Sequence, residues 1–223
     1  MKIQISDNLI KHYLRNVYFI NGHSCAGKST MVKMLAERYG MTACSENYHD
    51  AFPREKLSRW KQPGLCYFDT MSGWEEWLNM TPEEHWRWTE AVARECVEIE
   101  ILELLRLSAG GGRIIADTNI PVDVLREISD YGHVAIMLCD PPDVCATRFF
   151  DREDPEKKFM LEQIKLCRDP EATLKNFNSW MSCRPPEETD WQHTGFFTYT
   201  RTDFENDTRE EVLQILAKHF QLS

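Results

Sequence analysis

Short unbroken apolar runs alternate along the chain with stretches in which apolar residues recur every three or four positions. Val17-Tyr18-Phe19-Ile20, Arg113-Ile114-Ile115-Ala116-Asp117 and His133 to Cys139 are of the first kind, and runs this short suit strands covered on both faces. Met41 to Ser45 and Phe196 to Thr200 are two further strand-like segments. Between them lie helical patterns. Lys28 to Tyr39 carries Met31, Leu35 and Tyr39, and Thr208 to Phe220 puts Val212, Ile215, Leu216, His219 and Phe220 on one face. Thr81-Pro82-Glu83-Glu84 has the cap, first-turn proline and third-position acid of a helix start, and this helix is predicted to run to about Leu107. Pro121 to Tyr131, Asp143 to Asp151, and Phe159 to Met181 with a break at Asp169-Pro170 complete the helices, and Ser6-Asp7 opens a short one at the start. Strands that alternate with helices predict an α/β fold with a parallel sheet. The segment from Glu46 to Gly73 fits neither period and is predicted to be irregular, over the site.

The first strand leads directly into Gly22-His23-Ser24-Cys25-Ala26-Gly27-Lys28-Ser29, the G-x-x-x-x-G-K-[ST] spacing of a phosphate-binding loop. Strand, loop and helix follow in the order the motif needs. Gly22 and Gly27 permit dihedrals and close approaches that a side chain blocks, so consecutive N–H groups from His23 through Thr30 can point at phosphates beside a helix start. Lys28 is predicted to neutralise the β and γ phosphates, and Ser29 to offer its hydroxyl to Mg2+. ATP and Mg2+ are therefore the expected cofactors.

Other polar residues fall at the carboxyl ends of the predicted strands, where ligands gather in an open parallel sheet. Asp117 ends the third strand and is the second expected metal residue; the alternative is an Asp that caps the turn into Thr118-Asn119. Glu46 and Asp50 follow the second strand, and either can orient or deprotonate an acceptor hydroxyl or remain a solvated loop charge. His49 between them reads as an exposed polar residue. Arg148 and Arg152 stand four apart on one helical face and can meet a triphosphate opposite the loop or pair with Asp151, Glu153 and Asp154. Lys157 and Lys158 read as solvated. Arg54, Lys56, Arg59 and Lys61 interleave with Phe52, Trp60 and Tyr67 near the acceptor side, while Trp74, Trp77, Trp86 and Trp88 read as packing residues.

Composition narrows the partners. The formal charge of -10 and the scatter of the 26 Lys and Arg argue against general nucleic-acid binding, leaving a small-molecule acceptor as the expected partner. The eight cysteines show no C-x-x-C spacing and suit buried thiols in a reducing cytosol, with zinc not expected. Cys25, inside the loop, is open to a lowered thiol pKa or to passive occupancy. No secretory start and no membrane-length apolar run is seen, so a cytoplasmic protein without membrane contact is expected, monomeric or homodimeric. At 223 residues the chain is expected to form one domain, 1–223.

Gly22 to Ser29, Asp117 after the third strand, the Val134 to Asp140 segment and the Arg148-Phe149-Phe150-Asp151-Arg152 spacing together resemble the P-loop kinases of the nucleoside, nucleotide and shikimate kinase group. The resemblance implies a three-layer fold with a five-stranded parallel sheet of order 2-3-1-4-5, helices on both faces, a variable acceptor-side segment at 46–80 and a helical lid at 148–160. It implies transfer of the γ-phosphoryl of Mg-ATP to a nucleoside, nucleotide or hydroxylated metabolite, with Arg148 along the adenine and Arg152 on the phosphates. One departure stands out. Asp117-Thr118-Asn119-Ile120-Pro121 occupies the place where nucleoside monophosphate kinases commonly have Asp-Gly-Phe-Pro-Arg, which puts a monophosphate acceptor in doubt. The competing expectation is a nucleotide-binding switch or regulatory ATPase that has no small-molecule acceptor.

Overall fold

The computed structural model describes residues 5–141, 144, 148–151, 155–182, 191 and 193–223. Five strands form one sheet in the order β2-β3-β1-β4-β5: β1 is Val17–Gly22, β2 Thr42–Cys44, β3 Ile114–Asp117, β4 Val134–Cys139 and β5 Phe197–Arg201. Every neighbouring pair is parallel, with Ile20 beside Asp117 on one side and beside Ala135 on the other. The expected α/β class and strand order are both realised.

The helices among the described residues are α1 (Asp7–Tyr13), α2 (Lys28–Tyr39), α3 (Trp74–Leu78), α4 (Pro82–Ser108), α5 (Val122–Ile128), α6 (Pro155–Leu166), α7 (Pro170–Ser182) and α8 (Arg209–His219). Alternation along the strands sends successive side chains to opposite faces. On one face Ile20, Ala135 and Met137 pack with Met31, Leu35, Leu213 and Leu216 of α2 and α8. On the other, Phe19, Val134 and Ile136 pack with Leu104 of α4 and Leu125 and Ile128 of α5. A third cluster lies beyond the sheet, where Trp77, Leu78, Phe149, Ile164, Phe177 and Trp180 bring α3, α6 and α7 together.

The start of α4 follows its sequence signal. Thr81 accepts from the Glu84 N–H, while Glu84 accepts from the Thr81 N–H at 2.8 Å, with Pro82 in the first turn; a cap of this kind is worth about 1 kcal/mol. Further along, α4 holds the irregular segment in place, since Glu95 accepts from the Gly64 and Leu65 N–H groups at 3.0 and 2.8 Å. That segment contains three 3-10 turns, Tyr48–Ala51, Arg54–Lys56 and Tyr67–Asp69. The helix predicted over Pro121 to Tyr131 ends at Ile128, because Ser129 turns extended and Tyr131–His133 forms a separate 3-10 turn. Of the helix expected at 143–151, residues 143 and 145–147 lie outside the described residues; Val144 and Arg148 are helical, and Phe149 to Asp151 bends away rather than continuing the helix.

Candidate functional site

At the carboxyl edge of the sheet β1 runs into the loop and then into α2. Gly22 has φ of +126°, and a Cβ placed on it would lie 2.0 Å from the Met137 carbonyl oxygen of β4. Only glycine lets the strand end lie this close to its neighbour. The loop is tied down on both sides: the His23 N–H donates to the Met137 carbonyl at 2.8 Å, and His23 Nδ1 accepts from the Cys139 N–H at 3.0 Å. Buried Asn21 accepts from the Gly22 N–H and donates to the Ile120 carbonyl at 2.8 Å, which locks the exit of β3 to the entrance of the loop. Cys25 and Gly27 both take positive φ, 64° and 98°, the alternation that turns successive N–H groups to one side. Gly27 is the residue that starts α2. Gly27 has no side chain with which to cap this helix and no acid sits in its first turn, so an anion is the natural complement to its first N–H groups.

Lys28 and Asp117 are both buried, at 6% and 1% exposure. Lys28 Nζ donates to the Gly22 and His23 carbonyls at 3.0 and 3.2 Å and stands 3.9 Å from Asp117 Oδ1. Ser29 Oγ donates to Asp117 Oδ2 at 2.6 Å, so residues 88 positions apart meet at the end of the loop. Asp117 Oδ1 is buried without a hydrogen-bond partner among the described residues. An orphaned carboxylate oxygen beside a serine hydroxyl fits a hard divalent cation, which takes oxygen ligands. Burial raises the Asp117 carboxyl above its usual range; Lys28 and Ser29 oppose that shift, and Glu46 and Glu100 add to it.

A second polar group adjoins the first and is larger than the sequence suggested. Glu100 of α4 is 2% exposed. Its Oε2 accepts from Thr118 Oγ1 at 3.1 Å, and its Oε1 lies 3.0 Å from His49 Nδ1. Thr118 also meets the Tyr48 hydroxyl at 3.2 Å and accepts from the Ile120 N–H. His49 is thus enclosed rather than exposed, its side chain 15% accessible. Burial by itself would lower its pKa, but the Glu100 carboxylate, with Asp50 and Glu46, raises it overall. Cys96 lies one helical turn before Glu100, and His49, Cys96 and Glu100 bring ligand-type atoms within 4.8 Å of one another, a grouping the sequence did not reveal. Burial, and then Glu100, push the Cys96 thiol up to about 12. Glu46 and Asp50 stay on the exposed rim, with Asp50 Oδ1 3.9 Å from His49 Nε2.

On the far side of the loop Arg148 donates to the Phe204 carbonyl at 2.7 Å and lies over its ring. Arg201, at the end of β5, stacks on the same ring at 4.8 Å, and its NH1 comes within 4.0 Å of where a Gly27 Cβ would be. Arg201 is therefore a cation beside the loop that sequence spacing did not single out. Arg152 lies outside the described residues, as does part of the expected lid. Lys157, expected to be solvated, sits 4.7 Å over the Phe149 ring. In the segment expected on the acceptor side, Arg54 pairs with Asp69 at 3.0 Å, Tyr67 donates to Glu76, and Trp60 is 96% exposed. Trp77 and Trp88 pack edge-on with Phe68 and with each other, while Trp74 lies tilted against Phe68 and edge-on to Trp77. No helix among the described residues is long and apolar enough to cross a membrane.

No protein-family model and no curated protein matches the chain. Among solved structures it is similar to an uncharacterized protein from Eubacterium ventriosum, at 13% identity and a TM-score of 0.44 over 92% of this chain and 97% of that one. It is also similar to a candidate kinase from Chloroflexus aurantiacus, at 17% identity and a TM-score of 0.42 over 92% of this chain and 99% of that one. Likenesses this distant carry no argument about ligand or reaction, and the fold rests on the strand order and register of the chain itself.

Proposed function

We propose that the protein is an ATP-dependent phosphotransferase that moves the γ-phosphoryl of Mg-ATP to a small-molecule acceptor, a nucleoside, a nucleotide or a hydroxylated metabolite. The observation that carries this reading is the convergence of Lys28, Ser29 and the buried Asp117 carboxylate at the glycine-capped start of α2. The loop N–H groups from His23 to Thr30 bind and orient the phosphates, and Lys28 offsets charge on the β and γ groups. Ser29 and Asp117 would hold Mg2+, which when bound neutralises phosphate charge. Arg148 and, by its sequence spacing, Arg152 add positive charge from the lid side. Glu46 or Asp50 would face the acceptor. Catalysis on this reading is positioning and charge stabilisation in a site that excludes water.

A ligand present at a hundred times its Kd stabilises a fold by about 2.7 kcal/mol, and in a protein of this size that raises Tm by roughly 5–10 °C. Mg-ATP should produce such a shift in the wild type, and Lys28→Ala should abolish it while the ligand-free protein stays folded. ADP release should then respond to an acceptor in a screen of nucleosides, nucleotides and hydroxylated metabolites. An unchanged shift in Lys28→Ala would defeat the site assignment. ATP binding with no acceptor-stimulated ADP release would favour the nucleotide-dependent switch.

A further inference from the structure

We infer that His49 is the catalytic proton acceptor on the acceptor side of this site and that Glu100 is its positioning residue. The inference rests on the phosphotransferase reading above and departs from it in one respect: the base is a half-buried imidazole rather than Glu46 or Asp50. The two ring nitrogens are committed differently. Nδ1 faces inward to Glu100 Oε1 at 3.0 Å, while Nε2 faces outward, 3.9 Å from the exposed Asp50. A buried carboxylate needs a donor, and the Nδ1 proton supplies it, so the lone pair of the neutral ring lies on Nε2. Glu100 is fixed in turn by the Thr118 hydroxyl, and Thr118 follows Asp117 directly in the chain. The base is thereby geared to the strand that carries the expected metal residue.

The groups facing His49 are Glu100 and Cys96 from α4, and Glu46 and Asp50 from its own loop. Burial works against the charged ring, but the three carboxylates, Glu100 foremost, outweigh it and hold its basicity above that of a free histidine. That suits a proton acceptor working near neutral pH better than an ordinary solvated carboxylate, whose pKa lies near 4. In the step itself, the acceptor O–H bond breaks and its proton passes to Nε2. The acceptor oxygen's electron pair forms the new bond to the γ-phosphorus, and the bond to the β,γ-bridging oxygen breaks with its pair leaving on ADP. The proton on Nε2 then returns to solvent past Asp50.

Water can stand in for the acceptor, so the test uses Mg-ATP alone and follows its slow hydrolysis against pH. The wild-type rate should rise with pH through a midpoint above 6.5, because only the neutral ring accepts a proton. His49→Asn keeps an inward N–H for Glu100 and lacks the outward lone pair; it should lose that limb and at least about 10-fold in rate, with the Mg-ATP thermal shift intact. Glu100→Gln should move the midpoint down by about one unit, and 15N-histidine spectra of the same variant should show the His49 Nδ1–H form diminished. An unaltered rate and pH limb in His49→Asn would overturn the assignment. Uptake of one Co2+ with a thiolate absorption band that Cys96→Ser removes would overturn it too, since Nδ1 would then be a metal ligand. If Mg-ATP gives no thermal shift even in the wild type, the nucleotide site itself fails, an outcome separate from either of these.

Discussion

The carboxyl edge of the sheet and the aromatic cluster beside it bury comparable side chains by opposite means. At the sheet edge Lys28, Asp117 and Glu100 are all nearly inaccessible, and one carboxylate oxygen has no hydrogen-bond partner among the described residues. Beyond the sheet Trp77, Phe149, Phe177 and Trp180 pack ring against ring. Each region contains a histidine. His49 meets a buried carboxylate, and its pKa rises despite burial. His85 stacks on Trp180 with ring centroids 4.1 Å apart, and burial lowers it to about 4. The same side chain is driven in opposite directions by what faces it. A region that keeps charges out of water at a cost is one where binding or chemistry recovers that cost, while a region that keeps its histidine neutral serves packing.

The sharpest way to break this comparison is at Gly22. Gly22→Ala would put a methyl 2.0 Å from a backbone oxygen, so β1 and β4 must part. The expected loss is about 5 kcal/mol, larger than ordinary substitutions give, and urea unfolding would measure it; a loss under about 1 kcal/mol would show that the loop is not locked to the sheet. Acid comes next. The folded-state pKa of His85 lies below its unfolded value near 6.5, so its contribution to stability is complete above that pH and is lost as pH falls toward 4. The loss by pH 4 should be on the order of 2 kcal/mol, and His85→Phe, which keeps a ring against Trp180, should flatten the acid limb of stability against pH. His49 has the reverse sign. Its contribution is complete below about 6.5 and fades as pH rises through its raised folded pKa, so Glu100→Gln should flatten the alkaline limb alone. The smallest effect separates two tryptophans. Trp180 Nε1 donates to the Met80 carbonyl at 2.8 Å, whereas Trp77 Nε1 is buried without a partner among the described residues. In thermal melts Trp180→Phe should therefore cost about 1 kcal/mol more than Trp77→Phe.

Much of this molecule could be read before it was seen. The loop, the strands and the capped start of α4 are local signals, each carried by a few neighbouring residues, and they appear where the sequence puts them. Asp117 was legible because strand ends in a parallel sheet are predictable places. Glu100 was not, although a clue existed: it falls between Cys96 and Leu104 at helical spacing, so a carboxylate sits on the buried stripe of α4. Without a known partner that reads as an ordinary helical charge. Arg201 and Phe204 escaped for a different reason, since only the docking of β5 beside β4 brings them to the loop. His49 was misjudged because an irregular segment has no period from which burial can be inferred.

The missing side chain at Gly22 also says where this protein can change. With β1 pressed on the Met137 carbonyl, the loop at 22–29 has no slack to trade, and its shape should persist under almost any drift of sequence that leaves the sheet intact. Away from His49 and from the rings of Tyr67 and Phe68, the segment after β2 is held differently, by single polar contacts such as Glu95 with Gly64 and Leu65 and the exposed pair of Arg54 with Asp69. Each of these can be replaced at small cost. On the phosphotransferase reading, new acceptors would therefore be acquired by rewriting residues 51–73 around an unchanging anvil, and directed evolution aimed at a different substrate should begin there.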